Sequence, residues 1–441
     1  MQISVDLTSL TGPVKPLHGT GNLARGRSAS GTWFRDLYLR AGIPFCRLHD
    51  TEYPYGSGSY VDIHCIFPDF DRDPQDPDAY FFRPTDLYMQ EIAAAGARAI
   101  YRLGESIDHT PRKSHVFPPR DPEKWASVCE HIIAHYTEGW NKGFHMDCPY
   151  WEIWNEPDNE PELAKNPMWQ GAMEQYFELY RATSTRLKAR FPHLKIGGYG
   201  SCGFYAVTGT DVSTAAASSP RLSYFIDFAK AFLSYITDPA HPCPLDFFSW
   251  HSYADDPEVN RRFALCARDL LDSYGLTACE SMLNEWNPRP LRKAFGKAED
   301  AAAVLANMIM MQQESVDVAT YYDGQPSSTG YCSLFDRTLG AATAYNAMEA
   351  FGAAYRLGTC ASSHSDLPLY ALGASDGAGR GMLLVANCSP EPQAADLTVV
   401  GGKPAGIRAG GDAPGFFPCP EALQDDTLQL KPWQILWIDF E

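Results

Sequence analysis

From about residue 17 to about residue 350 the chain alternates short runs of β-branched and aromatic residues with longer stretches whose apolar positions recur every three or four residues. The short runs read as buried strands, and the 3.6-residue period reads as helices with one apolar face. The pattern predicts strands at His18–Asn22, Phe45–His49, Arg98–Leu103, Tyr150–Trp154, Lys195–Gly198, Phe247–His251, Ser281–Glu285 and Val318–Tyr322. Helices are predicted between them at Pro84–Ala95, Pro122–Tyr136, Met173–Arg190, Tyr224–Tyr235, Val259–Tyr274 and Ala298–Glu314. Start signals support several of these. At Asp121-Pro122 a carboxylate can cap free N–H groups, and proline takes the first helical position. Eight strands alternating with helices predict an α/β fold, a (β/α)8 TIM barrel. A doubly wound open sheet would want a Gly-rich phosphate turn after its first strand, and Gly19 and Gly21 do not complete one.

Beyond about residue 360 the pattern changes: Gly, Pro and Ala punctuate short strand-like runs at Leu367–Leu372, Gly381–Asn387, Asp396–Val400, Gly406–Ala409, Thr427–Leu430 and Trp433–Phe440. A C-terminal β-sandwich domain is the expectation. The run Ile3–Leu7 precedes the barrel and has no partner in it, so it is expected to add an edge strand to that sandwich. The predicted organisation is therefore residues 1–16 as a strand of the β-domain, 17–355 as the barrel and 356–441 as the β-sandwich.

Charge removes whole classes of function. The 441 residues carry 36 Lys+Arg against 54 Asp+Glu, a formal net charge of −18. Nucleic acids and anionic membranes need a basic surface, so neither is an expected partner. The same charge opposes long-range approach of an acidic sugar. The aromatic content of 13% exceeds what core packing usually requires, and sugar C–H faces stack on aromatic rings. Twelve cysteines are scattered without Cys-x-x-Cys spacing and read as reduced thiols. The first residues, MQISVDLTSL, lack the basic and apolar regions of a secretory signal, and no apolar run of ~18 residues occurs, so a cytoplasmic location is expected. Nothing in the pattern opposes a homo-oligomer.

In a parallel barrel the active site forms at the C-terminal ends of the strands. The run Tyr150-Trp-Glu-Ile-Trp-Asn155-Glu156-Pro157 ends an aromatic strand in Asn-Glu-Pro, where proline fixes a turn that presents Glu156 at the barrel mouth. Ser281-Met-Leu-Asn284-Glu285-Trp286-Asn287-Pro288 repeats the pattern on another strand. Two glutamates on different strand ends suit glycoside cleavage, in which the leaving oxygen is protonated while the anomeric carbon is attacked. A third strand finishes in Trp250-His251-Ser252-Tyr253, and a Tyr253 hydroxyl bonded to a nucleophilic carboxylate would orient it and keep it ionised. Arg47-Leu-His49-Asp50 adds a fourth polar strand end. Trp286, Tyr322 and Asp323 lie at or just past the ends of strands seven and eight and complete the expected substrate-binding set with His49, Asn155, His251 and Tyr253.

These stretches, in order, resemble glycoside hydrolase family 39 of clan A, which contains β-xylosidases and α-L-iduronidases. The likeness runs through Arg47-Leu-His49, Trp151-Glu-Ile-Trp-Asn-Glu-Pro157, Asp246-Phe-Phe-Ser-Trp-His251-Ser-Tyr253, Asn284-Glu-Trp-Asn287 and Gly330-Tyr-Cys-Ser-Leu-Phe335-Asp. The resemblance implies that Glu156 is the general acid/base and Glu285 the nucleophile. It also implies that Asn155 bonds the sugar 2-hydroxyl, and that His49, His251 and Tyr253 line the subsite that holds the glycone. Two positions depart from the family pattern: Asn284 stands where Thr is common, and Tyr321-Tyr322-Asp323 where a Trp is often found.

The expected activity is a retaining exo-glycosidase acting on neutral glycosides of short oligosaccharides, β-xyloside-like, without a cofactor. In that mechanism Glu156 needs a pKa raised by burial beside Trp151 or Trp154 and by the charge of Glu285. The alternative is a glycan-binding barrel without turnover. A metal enzyme would want a ligand cluster; Asp62-Ile-His64 and Asp69-Phe-Asp71-Arg-Asp73 come nearest, but Pro68, Pro74 and Pro77 make that stretch read as a rigid loop over the pocket rim, and no metal is expected.

Overall fold

A computed structural model describes residues 1–50, 60–216, 219–288, 296–326 and 331–441. Eight parallel strands close a barrel: β2 (Gly19–Gly21), β3 (Phe45–Arg47), β4 (Arg98–Leu103), β5 (Tyr150–Ile153), β6 (Lys195–Ser201), β7 (Phe247–Ser252), β8 (Glu280–Trp286) and β9 (Val318–Tyr321). Each coincides with a strand predicted from the sequence, to within a few residues at the ends. β1 (Gln2–Pro13) precedes them. The helices are α1 (Phe34–Ala41), the single turn α2 (Ile63–Ile66), α3 (Arg83–Ala94), α4 (Pro122–Glu138), α5 (Met173–Arg190), α6 (Pro220–Ile236), α7 (Pro257–Ser273), α8 (Ala298–Gln313) and α9 (Tyr345–Leu357). The start signal at Asp121 acts as expected, accepting from the Lys124 amide; Ser219 accepts likewise from Leu222 and Asp256 from Glu258, each just before a proline and ahead of the predicted starts at Tyr224 and Val259. No helix among the described residues is long and apolar enough to cross a membrane.

Strand alternation builds the barrel interior in layers. Phe45, Ile100, Tyr150, Phe247, Met282 and Val318 form an apolar plug. Two residues further along the same strands come Arg47, Arg102, Glu152, Ser249, Asn284 and Thr320, all fully buried. The layer above the plug is thus polar, and the strand ends above it carry the chemistry.

The remaining strands are the hairpin β10 (Phe335–Asp336) and β11 (Gly340–Ala341), then β12 (Thr359–Ser365), β13 (Leu369–Ser375), β14 (Gly381–Asn387), β15 (Gln393–Val400), β16 (Pro404–Gly410), β17 (Phe417–Pro418), β18 (Leu423–Gln424), β19 (Thr427–Leu430) and β20 (Ile435–Phe440). Apart from the hairpin they form one ten-stranded sheet with β1, in the order β17-β16-β20-β14-β13-β12-β1-β15-β19-β18. β1 runs antiparallel to β12 and parallel to β15. Leu397 and Leu428 from one end of the sheet share a core with Ile438 and Phe440 from the other. The two facing layers are therefore halves of a single curled sheet. Its other face, through Tyr370, Leu372, Met382 and Leu384, joins the barrel core and packs on α8 and α9.

Helix α1, absent from the predicted set, has the helical spacing, with Phe34, Leu37, Tyr38 and Ala41 buried and Gly42 closing it at φ 64°, whereas strand β12, TCASSHS, is small and polar and carries no signal. α9 crosses the end of α1 through a glycine: a Cβ on Gly352 would stand 1.7 Å from the Ala41 carbonyl oxygen. Gly352→Ala is expected to force the helices apart and cost about 3 kcal/mol, read as a lowered denaturant midpoint with an unchanged slope.

Candidate active site

The site is assembled around Arg47, which is fully buried in the polar layer. Its Nε donates to Glu152 Oε2 at 2.8 Å, Nη1 to Glu285 Oε2 at 3.2 Å and Nη2 to Asn155 Oδ1 at 2.6 Å. Glu152 also accepts from Ser249 Oγ and Asn284 Nδ2, each at 2.6 Å. Burial pushes Glu152 up, but Arg47, Ser249 and Asn284 outweigh it and hold the carboxyl below its ordinary value. Glu285 receives a second donor on its other oxygen from the Tyr253 hydroxyl, the contact anticipated from the sequence. Burial and the Glu285 charge raise the Tyr253 phenol well above its ordinary value, so it stays protonated.

Glu156 reaches the same space through a strained turn. Trp154 and Glu156 have φ of 72° and 44°, a region few non-glycine residues adopt. The Glu156 amide donates to the carbonyls of Tyr199 and Gly200. Its Oε1 accepts from His251 Nδ1 at 2.7 Å and its Oε2 from Asn159 Nδ2 at 2.7 Å. Oxygens of Glu156 and Glu285 come within 4.8 Å of each other, with His251 between them. Gly200, at φ 66°, makes room: a Cβ there would lie 2.9 Å from Asn155 Oδ1 and 3.2 Å from His251 Nε2.

Above the two glutamates opens a cavity of about 440 Å³. Of the nine residues singled out in the sequence, His49, Glu156, His251, Tyr253, Glu285 and Tyr322 line it. The other three do not. Asn155 is buried beneath the wall on Arg47. Asp323 is folded away, its Oδ1 accepting from the Gln325 amide. Trp286 is fully buried with its ring 5.3 Å from that of Tyr321, which corrects its expected place against the substrate. The register of β8 slips between Leu283 and Trp286, so Asn284 and Glu285 both serve the interior and the next side chain turns outward. Trp151, Trp154 and Trp250 are likewise buried in the wall. The sequence missed Tyr205, Tyr331, Asn159 and Arg221, which line the cavity from loops and the start of α6. It also left Glu152 without a role, although a carboxylate in mid-strand two strands from a mid-strand arginine is a readable signal of a buried pair.

Two further expectations change. Burial raises Glu156, but the hydrogen bond and charge of His251 and the Asn159 amide outweigh it and hold the carboxyl below its ordinary value. Burial and the Glu285 charge, the basis of the opposite expectation, leave out the His251 and Asn159 donors, each 2.7 Å away. The Pro68–Pro77 stretch does not contribute to the cavity wall. It is followed by Tyr80, which packs on Phe67, Phe82 and Trp140. Asp62, His64 and Glu105 bring ligand-type atoms within 4.8 Å of one another. They already form a closed network: Asp62 accepts from Arg102 and from the Ser106 amide and hydroxyl, and Glu105 accepts from the His64 amide and pairs with its ring. Gly330, in the last family-like stretch, lies outside the described residues.

An eight-stranded parallel barrel with two carboxylates meeting at its mouth is a scaffold of glycoside-hydrolase type. Residues 86–275 match Glycosyl hydrolases family 39, the family the ordered motifs resemble, and the resemblance is borne out. The chain is 25% identical over 227 residues to a β-xylosidase of Caldicellulosiruptor saccharolyticus and 26% identical over 232 residues to one of Geobacillus stearothermophilus. These matches cover 50% and 49% of this chain but only 40% and 39% of those proteins. Among solved structures, a glucosidase from Croceicoccus marinus superposes with a TM-score of 0.74 at 20% identity, covering 100% of this chain and 98% of that one. A β-xylosidase from Caulobacter crescentus CB15 gives 0.64 at 15% identity, covering 100% and 99%. These likenesses establish the fold.

Arg47→Met leaves Glu152 and Glu285 buried without their cation and is expected to cost about 3–5 kcal/mol, measured by denaturant unfolding. Asp158 offers a pH test. Burial and the charge of Glu156 raise it from 3.8 to about 7, against donors from Ser201 and Cys202. A carboxyl raised on folding binds its proton more tightly in the native state, so its contribution is full below pH 3.8 and lost as pH rises through about 7. In Asp158→Asn the fall in stability between those limits is expected to be shallower than in the wild type, by on the order of 4 kcal/mol, as read from melting curves across the range.

Proposed function

We propose that the protein is a retaining exo-glycosidase that hydrolyses neutral glycosides, β-xyloside-like, from short oligosaccharides. The observation that carries this reading is the approach of Glu156 and Glu285 oxygens to within 4.8 Å. Retaining enzymes hold their carboxyl groups about 5–5.5 Å apart, whereas inverting ones need ~6.5–9.5 Å to fit a water between them. In the first half-reaction Glu285 attacks the anomeric carbon as the leaving oxygen takes the proton carried by the Glu156–His251 pair. In the second, Glu156 removes a proton from water, which displaces Glu285 and frees the sugar. Arg47 and Tyr253 donate to the two oxygens of Glu285 and aim it. The arginines support a neutral glycone: Arg47 is committed to Glu152 and Glu285, Arg102 to Asp62, and Arg221, which lines the cavity, donates to Asn159. The named β-xylosidase relatives support the pentoside reading. The presence of both carboxylates speaks against a binding protein without turnover.

The test is a panel of 4-nitrophenyl glycosides (β-xyloside, α-L-arabinoside, β-galactoside, β-glucoside) with the product anomer followed by NMR. Glu285→Gln is expected to lose about three orders of magnitude in kcat. Glu156→Ala should keep activity on the best leaving groups and be rescued by azide as a glycosyl azide of retained configuration. An inverted first product, or wild-type rates for Glu285→Gln, would end the proposal.

A further inference from the structure

Three residues past Glu156 the loop after β5 folds back. The Asn159 amide N–H donates to the Glu156 carbonyl at 3.1 Å, and its side-chain Nδ2 donates to Glu156 Oε2 at 2.7 Å. The side chain cannot flip. Its Oδ1 accepts from Arg221 Nη2 at 3.1 Å, and Arg221 Nε donates to the Asn159 carbonyl at 2.6 Å. A guanidinium only donates, so it fixes Oδ1 toward itself and Nδ2 toward the carboxylate. Arg221 is set in turn by the first turn of α6, with its guanidinium 5.2 Å from the Phe225 ring centroid and its Nε 3.9 Å from Glu160. With His251 on Oε1, both oxygens of Glu156 face donors. Hydrogen bonds given to a carboxylate favour its charged form.

We propose that Asn159, its amide locked by Arg221, is a positioning residue that holds Glu156 toward its ionised form, the form that activates water, and against the protonated form that departure of the leaving group needs. This rests on the proposed role of Glu156 as acid and base. The other charged groups that act on Glu156 or feel its charge are His251 from β7, Glu285 from β8, Arg47 and His49 from β3 and its end, and Asp158 from its own loop. Cys202, Tyr205, Tyr253 and Tyr331 also feel its charge. All of these are the same in the wild type and in Asn159→Ala, so a difference between those two profiles reports the amide, whereas Arg221→Gln also removes the Arg221 charge from the cavity wall.

The experiment compares the pH dependence of kcat/KM for phenyl β-D-xyloside in the wild type, Asn159→Ala, Arg221→Gln and Glu156→Gln. One hydrogen bond is worth about 0.5–1.5 kcal/mol, so the alkaline limb of Asn159→Ala is expected to move up by about 0.5–1 pH unit. Arg221→Gln should move it the same way by less, because the amide regains freedom to turn. With 2,4-dinitrophenyl β-D-xyloside, kcat of Asn159→Ala should fall at the acid end, where Glu156 has to be ionised to activate water. An alkaline limb that coincides with the wild type, alongside a uniform loss at every pH, would overturn the inference. A wild-type limb in Glu156→Gln would instead remove the acid/base role itself. Should Asn159→Ala not fold, Arg221→Gln keeps the amide and carries the comparison alone: an unmoved limb there overturns the proposal.

Discussion

A guanidinium with no solvent contact has to be neutralised where it sits, and the barrel interior is arranged to do that for Arg47. Glu152 supplies one carboxylate from β5 and Glu285 the other from β8, while Ser249 and Asn284 satisfy the remaining lone pairs of Glu152. The geometry of the cavity floor follows. Glu285 lies within 4.8 Å of a second carboxylate with its two oxygens held by Arg47 and Tyr253, while Glu156 is held by His251. A buried ion pair of this kind is costly in water-free surroundings unless every donor and acceptor is used, which fixes the side chains of four strands relative to one another.

This arrangement also gives the Asn at position 284 its place. Asn284 points below the cavity, and its amide reaches Glu152 rather than the sugar. The residue thus belongs to the support of the nucleophile candidate and leaves the wall of the cavity untouched.

The barrel was legible because its strands are apolar runs cut off by Gly, Pro or Asn-Glu, and such runs have few readings other than buried parallel strands. The paired glutamates were legible because each follows an Asn at the close of an apolar run, with Pro157 directly after Glu156 and Pro288 three residues after Glu285. What escaped was every feature that depends on a break in alternation. The register slip in β8 sends Trp286 into the wall, and the positive φ values at Trp154 and Glu156 reverse the backbone before the acid arrives. Strict alternation assigns the wrong face in both places. Tyr205, Asn159 and Arg221 come from loops or a helix start and meet the site only through tertiary packing. β12 was missed because TCASSHS offers no apolar face, its place being held by β1 and β13 on either side.

Helix α8 is buried on all sides, from Asp300 through Met311, because it lies between α7, α9 and the curled sheet. An amphipathic barrel helix needs only one apolar stripe, whereas this one has water nowhere along its middle. The β-domain therefore completes the barrel's own outer layer instead of hanging from it as an appendage. For anyone recombining modules of such enzymes, the seam between barrel and sheet is a poor place to cut, since a barrel bearing a foreign partner there would expose a greasy cylinder and aggregate before it could turn over.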